Sequence, residues 1–254
     1  MRRVAIYGKG GIGKSTTTCN VAAALAARGL TVLQIGCDPK SDSTRLLMGG
    51  QRIPTVLDRM RDGGAVALED IVFRSASGVY CVESGGPLPG VGCAGRGVIT
   101  AFQQLDALHA FDVVRPDVVL YDVLGDVVCG GFAMPLRSAY ARHVLVVSSG
   151  EMMSLYAASN ILAALRHFEG RGYAEFAGLV ANCRNVRNED EALTRFCEEE
   201  QVSLVARIPR SDEVQESDEA GALCFERFRD SAAARAYGDL AGFIAALPEA
   251  VPHD

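Results

Sequence analysis

The feature that most constrains this chain is the run Gly8-Lys9-Gly10-Gly11-Ile12-Gly13-Lys14-Ser15, which fits G-x-x-x-x-G-K-[ST]. It follows an apolar strand-like segment, Val4–Tyr7, and opens a helical pattern, Ser15–Arg28. That context is what such a loop requires. The glycines let backbone N–H groups close around phosphate oxygens, and the helix N-terminus adds a partial positive charge. Gly8, Lys9, Gly10, Gly11, Ile12, Gly13, Lys14, Ser15 and Thr16 are thus the candidate phosphate cradle. Lys14 is set to contact the β- and γ-phosphates and Ser15 to ligate magnesium.

A strand–turn–helix start predicts more of the same. Apolar or β-branched runs recur at Thr31–Ile35, Gly78–Val82, Val118–Tyr121, His143–Val147, Gly178–Ala181 and Ser203–Ile208, and each reads as a strand buried on both faces. Helical patterns lie between most of them, at Val98–Ala110, Met153–Gly170 and Asp190–Glu200. The alternation predicts right-handed crossovers and an α/β fold, a doubly wound, mostly parallel sheet. A last helical stretch, Ala232–Leu247, reads as a helix covering that sheet; its lone cation, Arg235, and the acidic chain end argue against a membrane-targeting tail. With 254 residues, 49% hydrophobic and 22% charged, residues 1–254 suit one domain of the P-loop NTPase type.

Two further segments belong at the carboxyl edge of such a sheet, where ligands bind. Val118-Val119-Leu120-Tyr121-Asp122 is an apolar strand ending in a carboxylate, the Walker B pattern, which places Asp122 beside the phosphates and their metal. Asp38-Pro39-Lys40-Ser41-Asp42-Ser43-Thr44 follows the second strand, and its density of charges and hydroxyls suits a segment that senses γ-phosphate and magnesium. Lys9 is an extra cation in a loop already served by Lys14. It is either a solvated loop lysine or a charge delivered across a dimer interface, as an arginine finger is. The K-G-G-x-G-K-[ST] form resembles the deviant Walker A of a family of dimeric ATPases, which favours the second.

The eight cysteines contain no C-x-x-C pair and no disulfide-style framework, so most are expected to be free core thiols. Cys93 and Cys129 differ, because each sits in a glycine-rich loop, Gly90–Gly97 and Gly125–Gly131. A packed core thiol needs no glycines, whereas a metal cluster benefits from close backbone N–H groups. A 4Fe-4S cluster usually takes four cysteines, so two per chain imply one cluster shared on the axis of a homodimer. Cys129 lies seven residues after Asp122, a reach of at most ~25 Å, which makes the segment a plausible lever with Gly125 as its flexible point. Asp126 is a candidate to orient the attacking water. The net charge of −6 argues against nucleic acid or an anionic membrane as partner. No run approaches about 18 apolar residues and no signal-peptide core follows Arg2 and Arg3, which predicts a cytoplasmic location.

The stretches YGKGGIGKSTT, GCDPKSDSTRLL, ESGGPLPGVGCAGRGVITAF, YDVLGDVVCGGFAMPLR and SGEMMSLYAASNI together resemble the nitrogenase iron protein family. The resemblance implies a homodimer with one bridging 4Fe-4S cluster, MgATP at two sites, and ATP-gated transfer of single electrons to a heterotetrameric catalytic partner. It implies switch roles for Asp38–Asp42 and Asp122–Cys129, Lys40 near the phosphates, docking near Arg96, adenine contacts from Asn182 and closure over the base by the segment around Pro209. Ferredoxin or flavodoxin is the implied electron source. Gln51–Asp58 looks more like relatives serving other reductases, and the chain stops sooner after its last helix than true nitrogenase iron proteins usually do. The intact GVGCAGRGVITAF and SGEMM stretches lean towards dinitrogen or methylthio-alkanes over tetrapyrroles as the partner's substrate. The competing expectation is a cluster-free positioning or partitioning ATPase with the same P-loop, which would leave the two glycine-embedded cysteines unexplained.

Overall fold

The computed structural model describes residues 1–86, 94–125, 134–136, 140–168 and 173–249. β1 (Arg2–Tyr7) turns into α1 (Lys14–Ala27), and β2 (Val32–Cys37) follows. α2 (Val56–Arg61) starts at Thr55, whose hydroxyl accepts from the Asp58 N–H, and leads to the short hairpin β3 (Phe73–Arg74) and β4 (Tyr80–Glu83). Next come α3 (Ala94–Ala107), α4 (Ala110–Val114), β5 (Val118–Val123), β6 (His143–Ser148), α5 (Met152–Phe168) and β7 (Glu175–Asn182). The chain continues through α6 (Glu189–Glu200), β8 (Leu204–Ile208), α7 (Asp212–Glu219), α8 (Cys224–Arg227) and α9 (Ala232–Ala246).

Among the described residues the sheet has eight strands in the order β3-β4-β2-β5-β1-β6-β7-β8, parallel except for β3. The doubly wound α/β expectation therefore holds. Successive side chains along each strand feed opposite cores. Ala5 and Tyr7 of β1 join Phe102 of α3 and Leu162 of α5 on one face; Val4 and Ile6 join Leu25 of α1 and Leu240 of α9 on the other. The last helix covers the sheet as expected, burying Tyr237, Leu240, Ala241 and Ile244. No helix among the described residues is long and apolar enough to cross a membrane.

Three expectations change. β8 is an edge strand, and only Ile208 of its five residues is fully buried, so the reading of two buried faces fails there. α3 begins four residues before Val98, because Gly97 is a contact glycine rather than a helix breaker: a Cβ there would stand 2.8 Å from Leu57 Cδ1 of α2. The same pattern was expected to run to Ala110, but His109, at φ 51°, separates α3 from α4.

Phe102 is a central packing residue, with its ring centroid 5.5 Å from that of Tyr121 and 4.7 Å from that of Tyr140. Phe102→Ala is expected to lower unfolding stability by about 3–5 kcal/mol with an unchanged denaturant slope, as read from equilibrium denaturation.

Candidate functional site

The turn between β1 and α1 is shaped by glycines at positive φ. Gly8, Gly11 and Gly13 stand at φ 144°, 74° and 99°. A Cβ on Gly8 would lie 2.2 Å from the Val147 carbonyl oxygen of β6, and one on Gly13 2.4 Å from Asn182 Nδ2 of β7. The Lys14 ammonium folds back onto its own loop, donating to the Gly8 carbonyl at 2.9 Å and the Lys9 carbonyl at 3.2 Å. Asn182 Nδ2 donates to the Ile12 carbonyl at 2.6 Å, and Arg184 Nη2 to the Gly11 carbonyl at 2.6 Å. The loop is thus held by β6 and β7, and among the described residues no side chain caps the N–H groups at the head of α1.

Two cavities meet at Gly11, Gly13 and Thr16. One, of about 330 Å³, is lined by Gly10, Lys14, Ser15, Asp38, Lys40, Asp42 and Asp122. The other, of about 410 Å³, is lined by Asn182, Pro209 and residues of α7. Their chemistry differs in a useful way. The first gathers a lysine, hydroxyls and carboxylates suited to phosphates and a divalent cation. The second offers the Asn182 amide, Pro209, Val214 and the Tyr237 ring, with Arg184, Arg210 and Asp218 also in its wall, a mixed surface suited to a base.

Asp122 is 3% exposed, and its Oδ2 accepts from the Ser43 hydroxyl at 2.6 Å. Its Oδ1 has no hydrogen-bond partner among the described residues. Burial raises its pKa above the ordinary carboxylate value, against the Ser15 and Ser43 hydroxyls and the Lys14 charge. A buried carboxylate oxygen left over beside Ser15 and a glycine cradle fits a magnesium-bound nucleotide. Glu83, at the end of β4, was not singled out by sequence. It is fully buried, accepts from Thr44, and is pushed up to about 8 by burial, with Asp122 and Asp42 adding to the shift.

Several expected residues fall elsewhere. Lys9 is exposed and lines neither cavity. Arg96 is exposed in the first turn of α3. Cys93, Asp126 and Cys129 lie outside the described residues. Gly125 was expected as a flexible point, but its smallness serves contact: a Cβ there would stand 2.8 Å from Gly10 N and 3.0 Å from Gly8 O. Cys19, Cys37, Cys81 and Cys224 are buried free thiols, whereas Cys183 and Cys197 are half-buried. Sequence reading missed Val214, Gln215 and Asp218 of α7 as cavity lining. The available signal was Ser211, whose hydroxyl accepts from the Val214 N–H as N-cap, followed by Asp212 and Glu213 in the first turn.

The model of the protein family described as 4Fe-4S iron sulfur cluster binding proteins, NifH/frxC family, matches residues 2–254. Among similar proteins, the nitrogenase iron protein of Methanospirillum hungatei is 51% identical over 245 residues, 95% of this chain and 86% of the relative. That of Methanococcus voltae is 49% identical over 246 residues, 96% of this chain and 88% of the relative. Among solved structures, the cell division ATPase MinD of Pyrococcus furiosus superposes with TM-score 0.73 at 23% identity, covering 96% of this chain and 98% of that one. A ParA family ATPase from Chlorobium tepidum gives TM-score 0.72 at 17% identity, covering 94% and 97%. The two structural likenesses are likenesses of fold.

The raised carboxyls have a consequence for the nucleotide-free protein. Glu83 titrates at about 8 when folded against an ordinary 4.5, so folding favours its neutral form. The stability this contributes is complete below pH ~4.5 and is lost as pH rises through about 8. Unfolding stability is expected to fall between pH 5 and 8 by an amount on the order of a few kcal/mol, and Glu83→Gln should flatten that slope in denaturation curves across the range.

Proposed function

The chain belongs to the NifH/frxC family of 4Fe-4S iron-sulfur cluster binding proteins, and from that membership we propose that it is the ATP-dependent reductase component of a nitrogenase or nitrogenase-like system. The observation that carries this is the convergence of Lys14, Ser15, Asp38, Lys40, Asp42 and Asp122 on one cavity in a chain about half identical to nitrogenase iron proteins. When bound, MgATP supplies a hydrolysable phosphoryl group and the 4Fe-4S cluster a store of single electrons.

This chain's residues divide the work. The backbone from Gly8 to Thr16 would cradle the phosphates, Lys14 would leave its loop carbonyls for the phosphate oxygens, and Ser15 would ligate magnesium. Asp38, Lys40, Asp42 and Asp122 line the same cavity, Asp122 oriented by Ser43, and would respond to the terminal phosphate. Asp126 would orient the attacking water. Asn182 and Pro209, which line the neighbouring cavity, would hold the adenine. Lys9, exposed on the loop, would serve the nucleotide of a second copy across the two-fold axis. Cys93 and Cys129 of both copies would hold the shared cluster, and the short run from Asp122 to Cys129 would carry the phosphate signal to it. Gly125, seated against Gly8 and Gly10, is where that run meets the P-loop.

The homodimer docks near Arg96 onto a heterotetrameric partner that reduces dinitrogen or a methylthio-alkane, draws electrons from ferredoxin or flavodoxin, and acts in the cytoplasm as one domain per chain. Two measurements test this reading. Anaerobically purified protein is expected to hold about four irons per dimer. Cys93→Ser or Cys129→Ser should lose them while Cys19→Ser or Cys197→Ser retains them; four irons per monomer would refute the shared cluster. Lys9→Ala should keep nucleotide binding but lose roughly 10³-fold or more of partner-dependent hydrolysis, whereas an unchanged rate would reduce Lys9 to a loop residue.

A further inference from the structure

Glu83 has no part in the mechanism above, yet it is the most completely buried carboxylate near the phosphate-side cavity, at 0% exposure. Its Oε1 accepts twice from one residue, from the Thr44 backbone N–H at 2.6 Å and the Thr44 hydroxyl at 2.7 Å. Its Oε2 has no hydrogen-bond partner among the described residues and reaches over Gly36, where a Cβ would stand 2.1 Å from it. The sheet register explains the closeness, since Gly36 of β2 pairs with Glu83 of β4 on one side and with Asp122 of β5 on the other. A buried carboxyl over a position that only glycine can occupy is an expensive arrangement to keep, and a packing role alone would be met by an apolar side chain.

What Glu83 holds is specific. Thr44 lies two residues after Asp42, which lines the cavity, and directly after Ser43, which donates to Asp122. Among the described residues its one carboxylate partner is Glu83, through both donors. If a metal-bound nucleotide draws Asp122 away from Ser43, the pair of bonds to Glu83 still anchors Thr44, beside the bonds that Cys19 and Gln34 make to Ser43.

We propose that Glu83 is a positioning residue for the nucleotide site, which through Thr44 sets where the segment Asp38–Asp42 stands over the phosphates and so ties nucleotide occupancy to β4 as well as to β5. The proposal rests on the reading of the two cavities as a MgATP site. β4 is also the strand from which the sequence runs on to Cys93.

The titratable groups within electrostatic reach of Glu83 are Asp122 from β5, Asp42 from the loop, Cys81 from its own strand and Cys19 from α1, with Cys37 of β2 on the other face of the sheet. Burial pushes all three thiols up, Cys19 to about 12, so they stay protonated below pH 9. A divalent cation arriving beside Asp122 favours the ionised form of Glu83. Affinity for MgATP should therefore rise between pH 7 and 9.

The test is equilibrium binding of MgATP and MgADP to the purified protein from pH 6 to 9, with amide hydrogen exchange across residues 38–44. Glu83→Gln keeps the acceptor for Thr44 but cannot ionise. It should retain wild-type MgATP affinity within about threefold at pH 7 and lose the rise towards pH 9. Thr44→Val removes one of the two bonds; it should weaken MgATP roughly 3- to 10-fold, MgADP less, and speed exchange across 38–44. A Glu83→Gln protein with the wild-type pH profile, the rise then belonging to Asp122, or a Thr44→Val protein with wild-type affinities and exchange, overturns the proposal while the nucleotide site stands. A wild-type protein that binds no MgATP overturns the reading of the site and the proposal with it.

Discussion

The backbone of the β1–α1 turn is crowded on one side, and much of the site follows from that constraint. β6 approaches Gly8 at Val147 O, β7 approaches Gly13 at Asn182 Nδ2, and Gly125, just past β5, sits against Gly8 and Gly10, each closely enough to exclude or crowd a Cβ. Such contacts need glycines, and with the bonds from Lys14 to the Gly8 and Lys9 carbonyls they fix the loop's path. Because the approaching groups come from strands that are parallel neighbours of β1 or one strand further, the loop's position is set by sheet register. It is not left to the turn's own preferences. A phosphate cradle must have its N–H groups aimed before the ligand arrives, and rigid strands provide that aim more reliably than loop sequence can.

A second knot lies across the sheet at Ser43 and Thr44. The Ser43 carbonyl accepts from Cys19 Sγ of α1 at 2.9 Å and from Gln34 Nε2 of β2 at 3.0 Å, while its hydroxyl donates to Asp122 of β5. Thr44 adds β4 through Glu83. Four elements thus hold two residues just beyond the charged segment that lines the cavity. Beside this knot Asp122 Oδ1, Glu83 Oε2 and Gln34 Oε1 have no hydrogen-bond partner among the described residues. Unpaired buried oxygens cost free energy, and the two carboxylate oxygens are the ones a cation or a proton can satisfy.

The central strands were legible because a strand buried on both faces is a continuous apolar run, and Val118–Tyr121 and His143–Val147 read that way without ambiguity. β3, with two residues, is too short for any periodic signal, and the polar edge strand β8 keeps the β pattern but not the burial. In the site, the P-loop, Asp38–Asp42 and Asp122 were readable because their chemistry is local in sequence. Glu83 was not, since it opens the stretch ESGGPLPGVGC but nothing in that stretch marks its carboxyl apart from a surface acid at a strand end. Its significance comes from Gly36 and Thr44, about forty residues or more upstream, and appears only when the sheet brings them together. α7 was missed for a different reason: Asp212–Glu219 is short and polar, and its Ser211 cap was the one local cue.

Charge balance explains why the metal has to accompany the nucleotide. Asp38, Asp42 and Asp122 line the phosphate-side cavity, with Glu83 buried behind them, and Lys14 and Lys40 are the cations that line it. Lys14 is already engaged by two loop carbonyls. Adding a triphosphate alone would bring several negative charges against carboxylates in a medium that screens them poorly. Glu83 lightens this repulsion in the nucleotide-free protein, since burial raises its pKa to about 8, and burial shifts Asp122 in the same direction. A divalent cation reverses that preference by stabilising the ionised carboxylates it approaches, so the same burial that shifts these groups also makes them responsive to magnesium. The segment Asp38–Thr44 touches both carboxyls, Ser43 bonding to Asp122 and Thr44 to Glu83. A change in their ionisation is therefore felt directly at Ser43 and Thr44.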